Sequence, residues 1–160
     1  MHPRKKIASI EELSKARSRI FNGSRVVLTS GCFDVLHGGH VEYLFLSKQY
    51  GDFLIVGINS DNFVKRLKGD GRPIRKEADR AFLVASMGMV DLVVIFDCDY
   101  TLIRSAKPNF YIASDNSKIR VYDDFERMEI LGELGASIIE LPYSNIDSTT
   151  AIINRGLELV

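Results

Sequence analysis

Val26-Val27-Leu28-Thr29 is an apolar run that leads through Ser30 into Gly31-Cys32-Phe33-Asp34-Val35-Leu36-His37-Gly38-Gly39-His40, and a helical pattern follows. The stretch reads as a strand turning into a helix, with two of the chain's three histidines and three glycines in the turn. A helix start offers unpaired N–H groups and a partial positive charge to an anion. Glycines let a phosphate approach the backbone closely. The turn is therefore predicted to handle phosphate.

Outward from this turn, apolar runs alternate with helix-period stretches, the pattern of a parallel sheet covered by helices. Strands are predicted over 25–29, 53–59, 92–96, 109–113 and 137–141. Helices are predicted over 9–22, 39–49, 61–67, 76–87, 100–106, 123–134 and 148–157. Several strands are almost wholly apolar, as strands buried on both faces are. The expected fold is α/β, a doubly wound, mainly parallel five-stranded sheet with helices on both faces. One domain spans 1–160, and residues 1–24 read as an N-terminal helical extension that covers the sheet or joins an interface. Ligands in such folds sit outside the carboxyl ends of the strands, where the motifs fall.

At 160 residues the chain is long enough to bury a core without disulfides or metals. Its net charge of zero gives no global basic field for wrapping nucleic acid. Cys32 and Cys98 lie far apart without metal spacing, which fits a reducing cytosol. No apolar run reaches the roughly 20 residues of a membrane span, and no signal-peptide apolar region follows the basic start. A soluble cytoplasmic protein is expected.

His37 and His40 are three residues apart, so both project near one face of the first helical turn. Three readings compete: phosphate contacts, a metal pair, or a structural cap. No third ligand with suitable spacing is visible except Asp34, so no metal site is expected. Cys32 follows a strand in apolar context, where a free cysteine packs as a small hydrophobe. Asp34 suits bracing the loop or orienting a histidine. Residues 65–80 hold seven basic side chains against three acidic ones, a local excess of four in a neutral chain. Gly69, Gly71 and Pro73 mark this stretch as a loop able to close over a triphosphate. Asp147-Ser148-Thr149-Thr150 opens the last helix as a cap, a second anion site, or both. Asn59, Ser60 and Asp61 end a strand at the same sheet edge and suit an acceptor, a ribose or a helix cap.

The His37-Gly38-Gly39-His40 segment resembles the H-x-G-H signature of the cytidylyltransferase-like nucleotidyltransferases, with a Rossmann-like fold. The resemblance extends through Asn59-Ser60-Asp61, Lys65 to Pro73 and Ser148-Thr149-Thr150, and covers roughly residues 5–157. Among the branches it is most similar to the adenylyltransferase domain of ADP-heptose synthesis. The resemblance implies attack of an acceptor phosphate on the α-phosphorus of a nucleoside triphosphate, with pyrophosphate leaving. It implies catalytic roles for His37, His40, Lys68 and Arg80, with Lys68 and Arg80 meeting phosphates. Nucleotide contacts would come from Gly31, Cys32, Phe33, Asp34, Gly39, His40, Ser148, Thr149 and Thr150. Acceptor contacts would come from Asp34, Asn59, Asp61, Lys65 and Arg72, while Arg75 and Lys76 face solvent. Mg2+ would arrive with the nucleotide, and a homodimer is expected by analogy.

Two departures bear on specificity. The heptose branch carries Lys-Gly-Gly-Asp-Tyr where this chain has Ala113-Ser114-Asp115-Asn116-Ser117, a region bordering the nucleotide site in relatives. Glycerol-phosphate cytidylyltransferases carry an arginine where Tyr143 stands, and the heptose branch lacks it too. ATP with a sugar 1-phosphate, heptose 1-phosphate foremost, is the leading expectation. CTP with a polyol phosphate or phosphonate is the alternative, and a non-catalytic nucleotide-binding module is the third.

Overall fold

A parallel six-stranded sheet, in the order β1-β4-β3-β2-β5-β6, organises the computed structural model, which describes residues 1–20, 23–115, 121–142 and 149–157. The strands are β1 (Ile7–Ala8), β2 (Val26–Gly31), β3 (Phe53–Asn59), β4 (Leu92–Phe96), β5 (Phe110–Ser114) and β6 (Ser137–Leu141). The helices are α1 (Ile10–Ile20), α2 (Gly38–Lys48), α3 (Asp61–Lys68), α4 (Glu77–Ala85), α5 (Asp99–Ala106), α6 (Phe125–Glu133) and α7 (Thr149–Leu157).

All five anticipated strands are present, and β1 is the sixth. The expected count of five is thus corrected, and so is the reading of residues 1–24 as helical only. Two residues are too few for any periodicity to show. What makes them a strand is pairing with the exposed edge of β4, Ile7 opposite Val93 and Ala8 opposite Val94. Just before β1, the Lys6 ammonium donates to the carbonyls of Met87 (3.2 Å) and Val90 (2.7 Å) beyond the end of α4.

Side-chain alternation along the strands feeds two cores, because successive residues point to opposite faces. Val26 and Leu28 pack with Leu13 of α1, Leu102 and Ile103 of α5, and Ile130 and Leu131 of α6. Val27 faces the other way, into a core with Tyr43 and Leu44 of α2 and Ala81, Val84 and Ala85 of α4. The sheet is buried on both sides, which explains its apolar strands.

The winding fixes where a ligand can bind. From β2 the chain adds β3 and β4 on one side, then crosses back to add β5 and β6 on the other. The order reverses between β2 and β5, and a crevice at the carboxyl ends of such a pair is the usual ligand site of this architecture. The turn over residues 31–40 leaves β2 at this switch point.

Candidate functional site

β2 ends at Gly31, and a Cβ there would stand 3.0 Å from the Phe33 ring. Phe33 folds back in a left-handed conformation (φ 48°), which costs a non-glycine residue about 1–2 kcal/mol. Its ring is buried and lies 5.2 Å from the His40 ring. The sequence placed Phe33 against the nucleotide; its burial makes it a support for His40 instead.

His37 is the N-cap of α2, in extended conformation and without a side-chain capping bond. Its carbonyl accepts from the N–H groups of His40 (3.0 Å) and Val41 (3.3 Å). The two imidazoles lie together, centroids 3.9 Å apart, over the first turn of the helix. Burial, then the neighbouring His37 and Lys68, hold the His40 imidazole down at a pKa of about 4. His40 is therefore neutral at pH 7, a hydrogen-bonding imidazole rather than a cation. Lys68, in the last turn of α3, also reaches the Cys32 thiol. Burial raises the Cys32 pKa against the pull of Lys68 and Arg80, which suits a packed thiol and not a nucleophile.

Asp34 is 1% exposed and fully engaged. Its carboxylate accepts from the backbone N–H of Ile74 (2.9 and 3.0 Å) and Arg75 (2.9 Å), and the Arg72 guanidinium stands 3.4 Å away. The carboxylate anchors the basic loop between α3 and α4 to the turn after β2. Of the two roles read from its residue type, bracing is the one the structure realises. The expected direct contacts of Asp34 with nucleotide and acceptor are corrected, since no carboxylate oxygen faces open space.

Arg80 is corrected in the same way. It was expected to meet a phosphate, but it is fully buried inside α4. Its guanidinium donates to the carbonyls of Arg75 (3.0 Å), Cys32 and Asn59 (2.7 Å), and to the Asp61 carboxylate (2.9 Å). One side chain thus ties together the turn after β2, the end of β3, the start of α3 and the basic loop. Asp61 and Glu77 complete the brace by capping each other's helix. The Asp61 N–H donates to Glu77 Oε2 (2.6 Å), and the Glu77 N–H donates to Asp61 Oδ1 (2.8 Å). Asn59 is buried, whereas Asp61, engaged by Arg80 and the Glu77 N–H, keeps about a quarter of its side chain (26%) exposed.

His37, His40, Lys68 and Cys32 are brought together, with Arg72 held beside Asp34. Lys65 stands apart, exposed and paired with Asp70 at 3.1 Å. Arg75 and Lys76 are exposed, as expected. Thr149 and Thr150 open α7, with Thr150 exposed. Ser148, Asn116, Ser117 and Tyr143 lie outside the described residues. The sequence reading missed Glu77, although an acidic residue in the first turn of each of two neighbouring helices was visible. It also missed the ion pair between Arg127 and Asp99 (2.9 Å), whose members are 28 residues apart and carry no shared motif.

Among the described residues no helix is long and apolar enough to cross a membrane. The sequence profile of the cytidylyltransferase-like family matches residues 28–155. A bifunctional protein HldE from a Nitratiruptor species is 44% identical over 94% of this chain. An HldE protein of Helicobacter pylori is 43% identical over 96% of it. The chain spans 31% of the length of each of these relatives. A lipopolysaccharide core biosynthesis protein from Thermoplasma volcanium superposes with a TM-score of 0.65 at 27% identity, covering 78% of this chain and 100% of that one. A pantoate-beta-alanine ligase from Francisella tularensis, at 15% identity and a TM-score of 0.59, covers 96% of this chain and 78% of its own, and shares the fold. With the two stacked histidines at the start of α2, the matched profile and these relatives, the chain belongs to the cytidylyltransferase-like family of nucleotidyltransferases.

Proposed function

We propose that this domain transfers a nucleoside monophosphate from a nucleoside triphosphate, ATP foremost, to a sugar 1-phosphate of the heptose type, giving a nucleoside-diphosphate sugar and pyrophosphate. One observation carries the chemistry. His37 and His40 stack at the start of α2, with Lys68 beside them, at the switch point of the sheet. The likeness to HldE proteins and to a lipopolysaccharide core biosynthesis protein supports the sugar acceptor.

A phosphate monoester with a second pKa of about 6 is largely ionised at neutral pH, so its oxygen attacks without a general base. The new bond forms at the α-phosphorus as the bond to the β-phosphate bridge breaks, and pyrophosphate leaves with the electron pair. The charge that develops on the α-phosphoryl oxygens meets the neutral His40, His37, the N–H groups of the α2 start and the Lys68 ammonium. The Thr149–Thr150 turn is assigned to the departing phosphates. Asp34 and Arg80 act as positioning residues. Mg2+ prefers several oxygen ligands, and Asp34 and Asp61 are already engaged by N–H donors. When bound, Mg2+ would take its ligands from the triphosphate and water and would supply charge neutralisation. A homodimer in the cytoplasm belongs to the same proposal.

The Ala113-Ser114-Asp115 departure keeps a second reading alive, CTP with a polyol phosphate or phosphonate. The test is pyrophosphate release with magnesium, crossing ATP and CTP against heptose 1-phosphate, glycerol 3-phosphate and a small phosphonate. Turnover with ATP and heptose 1-phosphate is expected. Turnover confined to CTP would transfer the assignment to the second reading, and silence with every pair would reject both.

A further inference from the structure

Across the sheet from the histidines, a second polar cluster closes the carboxyl ends of β2 and β5, and the proposed chemistry does not use it. Ser30, the residue before Gly31, donates from its hydroxyl to Asp99 at 3.4 Å. Asp99 opens α5 and pairs with the Arg127 guanidinium at 2.9 Å. Arg127 rises from the first turns of α6, with 7% of its side chain exposed, and also stands 3.3 Å from Asp124, the N-cap of its own helix. The Tyr100 hydroxyl donates to Asp124 at 3.1 Å. Tyr111 of β5 is buried against the same groups, its hydroxyl interacting with Ser30, Asp99 and Arg127.

The charges in this cluster are two carboxylates against one guanidinium. Asp99 sits one hydrogen bond from the strand end that carries the phosphate turn. Burial pushes its carboxyl up, and Arg127 opposes that shift. Removing the guanidinium would leave Asp99 and Asp124 without their shared cation beside the strand end that carries the histidine turn, and like charges in a poorly solvated site repel over many ångströms. Ala113, two residues beyond Tyr111 on the same face, brings no charge, so the cation comes from α6.

We propose that Arg127 is a positioning residue that admits the triphosphate, by neutralising Asp99 behind the end of β2 and without touching the substrate itself. The inference rests on the nucleotide reading given above.

The test is calorimetric titration of ATP and, separately, of CTP, each with MgCl2 and in the absence of acceptor, into the wild type, Arg127→Met, Arg127→Lys and the double variant Arg127→Met with Asp99→Asn. Arg127→Met is expected to weaken binding about tenfold. The double variant, which has lost the carboxylate as well, and Arg127→Lys, which keeps the charge, should both recover most of that loss. A purely structural guanidinium would not be rescued by deleting its partner's charge. Equal affinity of Arg127→Met and wild type would overturn the inference, as would a double variant no better than the single one. Arg127→Lys as weak as Arg127→Met would overturn it too. A wild type that binds no nucleotide would reject the nucleotide reading, and this inference with it. That result is distinguishable from a failure at Arg127 alone.

Discussion

Asp34 and Ile74 lie forty residues apart in the chain, yet both oxygens of the Asp34 carboxylate accept the Ile74 backbone N–H, at 2.9 and 3.0 Å. The Arg75 N–H joins them at 2.9 Å. The pairing fixes the far end of the basic loop against the turn that carries the histidines. Gly69 and Gly71, both at positive φ, and the exposed Asp70 form the end that is not held this way. The loop is anchored to the turn at Ile74 and Arg75, and its other end turns through the two positive-φ glycines.

Asp34→Asn replaces one acceptor oxygen by an NH2 group that faces N–H donors. An orphaned buried donor costs about 1–3 kcal/mol, and a misplacement of about an ångström in an active site costs about a hundredfold in rate. The variant should unfold at lower denaturant and release pyrophosphate about a hundredfold more slowly. Wild-type turnover in a folded Asp34→Asn protein would show that the anchor is dispensable.

His40 ties stability to pH. Its folded-state pKa is about 4 against the ordinary histidine value of 6.5. Between those values the unfolded chain takes up a proton that the folded protein refuses, so stability falls as pH drops through this window. Below about pH 4 the loss is complete, on the order of 3 kcal/mol. Denaturant unfolding of wild type and His40→Gln across the window should give curves that diverge, the variant being the less acid-sensitive. Parallel curves would assign the acid sensitivity to other groups.

Arg80 is the buried joint of four segments. Arg80→Met leaves the Asn59 and Cys32 carbonyls and part of the Asp61 carboxylate without their donor. Breaking one side of a buried ion pair typically costs about 3–5 kcal/mol. A large drop in unfolding midpoint is expected, measured by denaturant titration. Arg80→Lys should recover little, because one ammonium cannot span donors arranged in a fork. A stable Arg80→Met protein lacking only activity would return Arg80 to the phosphate-binding role read from the sequence.

Cys32 is packed and its thiol is shifted away from the reactive thiolate. Cys32→Ala should retain pyrophosphate release within about threefold, since the proposed transfer needs no covalent enzyme intermediate. A steady-state assay decides it, and a loss beyond a hundredfold would point to a covalent step.

What local chemistry determines, the sequence showed by itself. Apolar strands, helix periods and the His37-Gly38-Gly39-His40 turn placed five strands, the helices and the strand-to-helix turn that carries the histidines, because burial on two faces and glycine-rich helix starts leave their mark within a few residues. Tertiary structure alone decided the rest. β1 exists because β4 had an open edge. Asp34 and Arg80 look like ligand-binding residues by type and motif, but buried charges need partners, and those partners come from loops 40 and 48 residues away. Arg127 reaches Asp99 only once α5 and α6 pack on one face of the sheet. Residue type says which side chains can hold a phosphate, whereas the distances between segments decide which of them are already taken.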